Sequence, residues 1–318
     1  MKTVDLKFPS TMKKPIGIIF PTLLALSALA FIFRPVPGRS QATDRERAGN
    51  QPVAPFRIMG TLYYVGASDI TSFLIVTPKG NILLDGGFAE TAPQIQANVK
   101  SLGFRLEDTK ILLNSQAHFD HTGGLAQLKK LTGAQMVASE GDAPMLESGG
   151  HGDPYFGDKY VFQPVHVDRR LRNGDTVSLG GTVMTAEITP GHTMGCTTWT
   201  MTESESAKSY HVVFVCSTSV LPDIRLIDNV KYPNIEKDYE YTFRRLRELP
   251  CDIFLASHGG FFNLLDKSER LRRGGKPNPF IDPDGYRNYV KDSEANFLKE
   301  LGEQRAAASK PAGEKSHP

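Results

Sequence analysis

The 318-residue chain has three cysteines, one tryptophan and no short tandem repeat. So few cysteines cannot build a disulfide scaffold, and an odd number leaves at least one thiol unpaired. Without a repeat, solenoid architectures are excluded. An excess of one charge is also missing. The formal net charge of +2 arises in the first 42 residues, which hold six Lys/Arg and one Asp, leaving 31 basic and 34 acidic residues elsewhere. That balance gives no electrostatic reason to expect a nucleic-acid partner. With 40% hydrophobic and 23% charged residues, the composition is that of a globular protein and excludes collagen-like or wholly disordered chains.

There is one long apolar run. Residues 15–33 follow Lys13 and Lys14 and precede Arg34 and the small-residue stretch Ser40-Gln41-Ala42. A basic start, an apolar core and a small-x-Ala site mark residues 1–42 as a secretory signal peptide, with Met12 an alternative start. The rival reading is an uncleaved membrane anchor, since the run is long enough to span a bilayer. Pro15, Gly17 and Pro21 argue against that helix. The expectation is therefore export to the periplasm, with the membrane met only through this segment if it stays uncleaved. Residues 43–52 read as a polar linker, 53–305 as one folded domain and 306–318 as a disordered tail.

Apolar alternation and short buried runs predict strands at 57–64, 72–77, 81–85, 110–113 and 134–138. A second set falls at 161–167, 176–179, 182–188, 197–201, 211–215 and 252–256. Apolar spacings of three and four predict helices over 91–102, 123–131, 235–248 and 284–301. Strands then helices, twice over, imply an α/β fold of the αββα type, two β-sheets packed face to face with helices on the outer faces.

Histidines cluster at the ends of these strands. The stretch Asn114-Ser115-Gln116-Ala117-His118-Phe119-Asp120-His121-Thr122-Gly123-Gly124 follows the strand at 110–113. His192 lies in Pro190-Gly191-His192-Thr193-Met194-Gly195 and His258 in Ser257-His258-Gly259-Gly260, each after a predicted strand. A lone strand-end histidine is more often structural, but three such motifs together point to metal. His118, Asp120, His121, His192 and His258 are too many for one tetrahedral zinc with an open position, so two metals are expected.

These motifs, with Leu84-Asp85-Gly86-Gly87 upstream, resemble the metallo-β-lactamase superfamily. Tyr63-Tyr64-Val65-Gly66, Gly149-Gly150-His151-Gly152-Asp153, Leu171-Arg172-Asn173-Gly174-Asp175, Tyr232-Pro233-Asn234 and Pro279-Phe280-Ile281-Asp282-Pro283 resemble its subclass B3, over residues 55–305. The resemblance implies two zinc ions, one on Gln116, His118 and His192, the other on Asp120, His121 and His258. Most members carry histidine where Gln116 stands, and this chain is similar to the glutamine variant. A neutral amide oxygen is a poorer zinc donor than imidazole, so the first site is expected to be the weaker. The implied reaction is attack of a metal-bound hydroxide on the β-lactam amide of penicillins, cephalosporins and carbapenems, with Asp120 also orienting the nucleophile. No Ser-x-x-Lys motif followed by the other signatures of serine β-lactamases is present.

Ser217 and Ser219 fall where serines of the subclass contact substrate. The alternative activity is that of a same-fold lactone or thioester hydrolase. Those enzymes place a metal-bridging aspartate after the strand at 211–215, where this chain has Cys216-Ser217-Thr218-Ser219. A non-catalytic zinc-binding protein is the third reading. A thiolate ligand at Cys216 is conceivable, but its register favours Ser217. Arg225 could meet a substrate carboxylate or be a solvated loop charge. His151 reads as part of a turn, His166 and His211 as structural strand residues, and His317 as part of the tail. Cys251 lacks the downstream partner that many relatives have, and sequence leaves open whether Cys196 and Cys216 pair.

Overall fold

A computed structural model describes residues 47–309, so the expected signal segment at 1–42, residues 43–46 and residues 310–318 lie outside the described residues. Among the described residues twelve strands form two sheets. The first runs in sequence order: β1 (Phe56–Met59), β2 (Leu62–Tyr64), β3 (Phe73–Thr77), β4 (Gly80–Leu84), β5 (Thr109–Leu113), β6 (Gln135–Ser139) and β7 (Arg169–Leu171). It is antiparallel through β4 and parallel beyond. The second holds β8 (Thr176–Leu179), β9 (Thr182–Ile188), β10 (Thr197–Glu205), β11 (Lys208–Val215) and β12 (Ile253–Ala256), with only β11 and β12 parallel.

Alternation explains the layers. Phe73, Ile82, Leu84, Ile111, Leu113 and Val137 belong to the core shared with Trp199, Met201 and Phe214 of the second sheet. The intervening Leu74, Leu83, Leu112 and Met136 pack instead against Ile95 and Val99 of α1 (Ala92–Ser101) and Leu125 and Leu128 of α3 (Leu125–Thr132). Pairings such as Phe73↔Leu84, Ile82↔Ile111 and Leu113↔Val137 keep these rows in register. Strands apolar on both faces are what a sheet covered on both sides requires. On the far side lie α5 (Ile235–Glu248) and α7 (Pro283–Ala308). Tyr239 and Phe243 of α5 pack on Phe297 of α7, and Tyr286 of α7 meets Phe254 of β12. The αββα layering is therefore realised.

Several boundaries differ from the sequence reading. The run at 57–64 is a hairpin, β1 pairing with β2 about Gly60, whose φ is +49°. Residues 161–167 form no strand. Val165 and Val167 are buried, but as irregular chain against α4 (Ala143–Ser148), Val165 N donating to Leu146 O at 3.0 Å. Pro164 has no N–H to give a ladder. Helices α4 and α6 (Leu264–Arg272) were not anticipated, and α7 continues to Ala308, through the first residues of the expected tail. The expected linker is laid against the domain over residues 47–52, with Gly49 O accepting from Asp69 N and Gln51 O from Ser68 N. Among the described residues no helix is long and apolar enough to cross a membrane.

Candidate metal centre

Strand β5 delivers the histidine-rich segment to one end of the sheets. Its loop is braced by two buried carboxylates. Asp85, at the end of β4, accepts from Ser115 N at 2.7 Å, Ser115 Oγ at 2.5 Å and Asn114 Nδ2 at 3.3 Å. Asp142 accepts from Ala117 N at 3.0 Å, and also from Thr193 Oγ1 at 2.9 Å and Gly195 N at 2.8 Å on the loop carrying His192. Burial pushes Asp85 up to about 6 and Asp142 up to about 7, partly offset by these donors. The short helix α2 (Phe119–Thr122) then turns Asp120 and His121 inward. Its close seat on the β4 end depends on glycines, since a Cβ on Gly124 would overlap the Gly86 carbonyl.

Two groups of donors result. His118 Nδ1 lies 3.1 Å from His192 Nε2. His121 Nε2 lies 3.3 Å from His258 Nε2, and Asp120 Oδ2 lies 3.3 Å from the first and 3.7 Å from the second. Asp120, His121 and His258 can each offer one ligand atom, all within 4.8 Å of one another. The outer ring nitrogens of His192 and His258 are tied elsewhere. His192 Nδ1 donates to Ser219 O and His258 Nδ1 to Asp69 Oδ2, each at 2.8 Å. A donor on one ring nitrogen fixes the tautomer and leaves the other nitrogen's lone pair for a cation.

Charge agrees with that geometry. Burial pushes His118 down to about 4 and His192 to about 3, so both rings are neutral. Burial would raise Asp120, but His121, His258 and His118 hold it well below the usual carboxylate range. Burial opposes protonation of His121, yet the adjacent Asp120 and then Asp85 raise it. Gln116 is fully buried; its Nε2 donates to Ser257 Oγ at 3.3 Å while Oε1 has no partner. A buried acceptor without a donor is costly, and a cation would satisfy it. His121 Nδ1 is likewise unpartnered. The residues present fit a metal ion.

Residues 65–258 match the metallo-beta-lactamase superfamily. The chain belongs to this superfamily. Its structural neighbours include the FEZ-1 metallo-beta-lactamase of Legionella gormanii, 44% identical, with 80% of this chain and 98% of that one covered and a TM-score of 0.79. BJP-1, a subclass B3 metallo-beta-lactamase of Bradyrhizobium japonicum, is 38% identical, covers 82% and 98%, and gives a TM-score of 0.77. The hydroxyacylglutathione hydrolase of Hyphomonas neptunium is 31% identical over 101 residues, 32% of this chain and 32% of that protein. The chain spans less than half the length of the curated relatives it matches first. Membership of the superfamily supports a hydrolase, and its fold implies a metal, typically zinc.

Other sequence-marked residues fall as follows. Cys216 is bonded to Cys196, their Cα atoms 5.8 Å apart, and so offers no thiolate. Ser217 is buried and its Oγ accepts from Ser219 N at 3.3 Å, whereas Ser219 is half-buried. A groove of about 1450 Å³ opens beside Ser219, lined also by Leu221, Arg225, Phe261 and Tyr289. A smaller cavity of about 40 Å³ touches His118 and His192. His151 and His166 are exposed, beside Asp158 and Glu147 respectively, and His211 is exposed on β11. Cys251 is unpaired. Sequence reasoning missed Asp69 and Asp142, because an isolated aspartate in a loop carries no local sign that histidines or a second loop will fold onto it.

Proposed function

We propose that the chain is an exported, zinc-dependent β-lactamase of subclass B3, opening the amide of penicillins, cephalosporins and carbapenems. The observation that carries this reading is the end of β11. The strand runs into Cys216, whose sulfur is bonded, and then Ser217, Thr218 and Ser219. No carboxylate stands where lactone and thioester hydrolases place a bridging aspartate. The near-complete coverage of the two β-lactamase structures, against partial coverage of hydroxyacylglutathione hydrolases, supports the same choice.

Gln116, His118 and His192 would hold one zinc, and Asp120, His121 and His258 the other. Bound zinc supplies positive charge that lowers the pKa of water from about 15.7 to near 7 and stabilises charge developing on a carbonyl oxygen. The chain's part is to keep the His118 and His192 imidazoles neutral, hold Asp120 ionised to accept a hydrogen bond from the attacking water, and seat substrate in the groove beside Ser219. Export is supported by the Cys196–Cys216 bond, since disulfides persist in oxidising compartments.

The test is hydrolysis of a carbapenem and a cephalosporin by the purified protein, with zinc and then with chelator, beside a hydroxyacyl-glutathione thioester. β-Lactam turnover that chelator abolishes and zinc restores is expected. Turnover of the thioester alone would replace this reading with the thioesterase one, which the hydroxyacylglutathione hydrolase relatives favour.

A further inference from the structure

Of the six donors, His192 alone takes its orientation from a carbonyl on another loop. Its Nδ1 donates to Ser219 O, so the direction of Nε2 depends on how the loop after β9 sits against the loop after β11. Helix α5 touches both. Tyr239 Oη donates to the same Ser219 O at 2.7 Å, and Thr242, one turn on, donates to Pro190 O at 2.7 Å. A carbonyl oxygen has two lone pairs and accepts both donors. The Tyr239 ring is 1% exposed and lies against Gly191, where a Cβ would come within 2.8 Å of it. The Cys196–Cys216 bond ties the two loops near their strand ends.

We propose that Tyr239 is a positioning residue for the first metal site: by fixing the Ser219 carbonyl it aims His192 Nε2 at the cation, and the Cys196–Cys216 bond holds the two loops at the required spacing. The inference rests on reading Gln116, His118 and His192 as one site. It does not depend on the substrate.

Tyr239→Phe in the full chain keeps the ring and removes only the hydroxyl. Zinc titration against a chromophoric chelator should resolve two affinities. One should weaken about tenfold, the scale seen when a ligand's outer partner is lost, while the other stays within twofold. A Cys196→Ala/Cys216→Ala double variant should weaken the same site. Unchanged affinities in Tyr239→Phe would overturn the proposal, as would an equal fall at both sites, which means general loosening. Because zinc is read without substrate, a protein that shows the split but opens no β-lactam would remove the proposed function and leave this inference standing.

Discussion

Asp142 is where two ligand-bearing loops meet on a single side chain. It receives Ala117 N from the His118 segment and Thr193 Oγ1 and Gly195 N from the His192 segment. Its carboxyl is pushed up to about 7 by burial, against roughly 3.9 in an unfolded chain. The unfolded protein thus releases this proton near pH 4 and the folded one near pH 7. The stability the group contributes is complete below pH 4 and is lost as pH rises through 7, by up to about 4 kcal/mol for a shift of this size. His118 and His192, lowered by burial, act in the opposite sense, so wild-type stability alone cannot isolate Asp142. Asp142→Asn does. The variant places an NH₂ group against converging donors and should be the less stable protein at pH 4, by about 1–3 kcal/mol. Its deficit should shrink or reverse by pH 8. Urea denaturation of the metal-free proteins across that range measures it, and a pH-independent difference would mean that Asp142 keeps an ordinary pKa.

At the scale of elements, the seat of α2 is a matter of clearance. Gly86 N donates to His121 O at 2.9 Å and Gly124 N to Gly87 O at 3.1 Å, which presses the end of β4 onto the junction of α2 and α3. Gly124 has helical φ, and what it lacks is room. Gly124→Ala should destabilise the fold by about 1–3 kcal/mol or more through overpacking and weaken zinc binding at Asp120, His121 and His258. Gly302→Ala in α7, with nothing within 4 Å of its Cβ, should instead be neutral or gain up to about 1 kcal/mol. Urea midpoints of the two variants decide this, and equal midpoints would show that the junction has slack. Elements such as β3–β6 and α5 were legible because buried alternation and helical periodicity are local. The segment 161–167 misled because Val161, Val165 and Val167 have strand-like spacing, yet Pro164 and the cover of α4 make them an irregular packed stretch. Helix α6 was opaque for another reason. Its buried Lys267 faces Asp282 at 2.7 Å, a long-range pair that apolar periodicity does not encode. The histidines and Asp120 that the structure brings together were readable because each sits at a strand end with its motif. What aims the donors, Asp69, Asp142 and Ser219 O, belongs to contacts between distant segments.

For the molecule as a whole, the two sheets bring three separate strand ends to one edge, and covalent chemistry holds part of that edge. Two of the three cysteines are consumed in the Cys196–Cys216 bond and Cys251 is left free. A chain that matures in an oxidising compartment should therefore show one titratable thiol after denaturation, and a chain kept in reducing cytoplasm three. On the proposed reading, the basic-apolar-small pattern of residues 1–42 would supply the route. Expressed whole in a Gram-negative host, the protein should be released by osmotic shock with an N-terminus at or near Thr43 and one thiol per chain. A version lacking residues 1–42 should stay inside the cell with three thiols and weaker zinc binding at the His192 site. N-terminal sequencing with thiol titration of both fractions decides the matter. A membrane-retained protein bearing its full N-terminus would favour the anchor reading of residues 15–33, and a released protein with three thiols would show that the bond does not form on export.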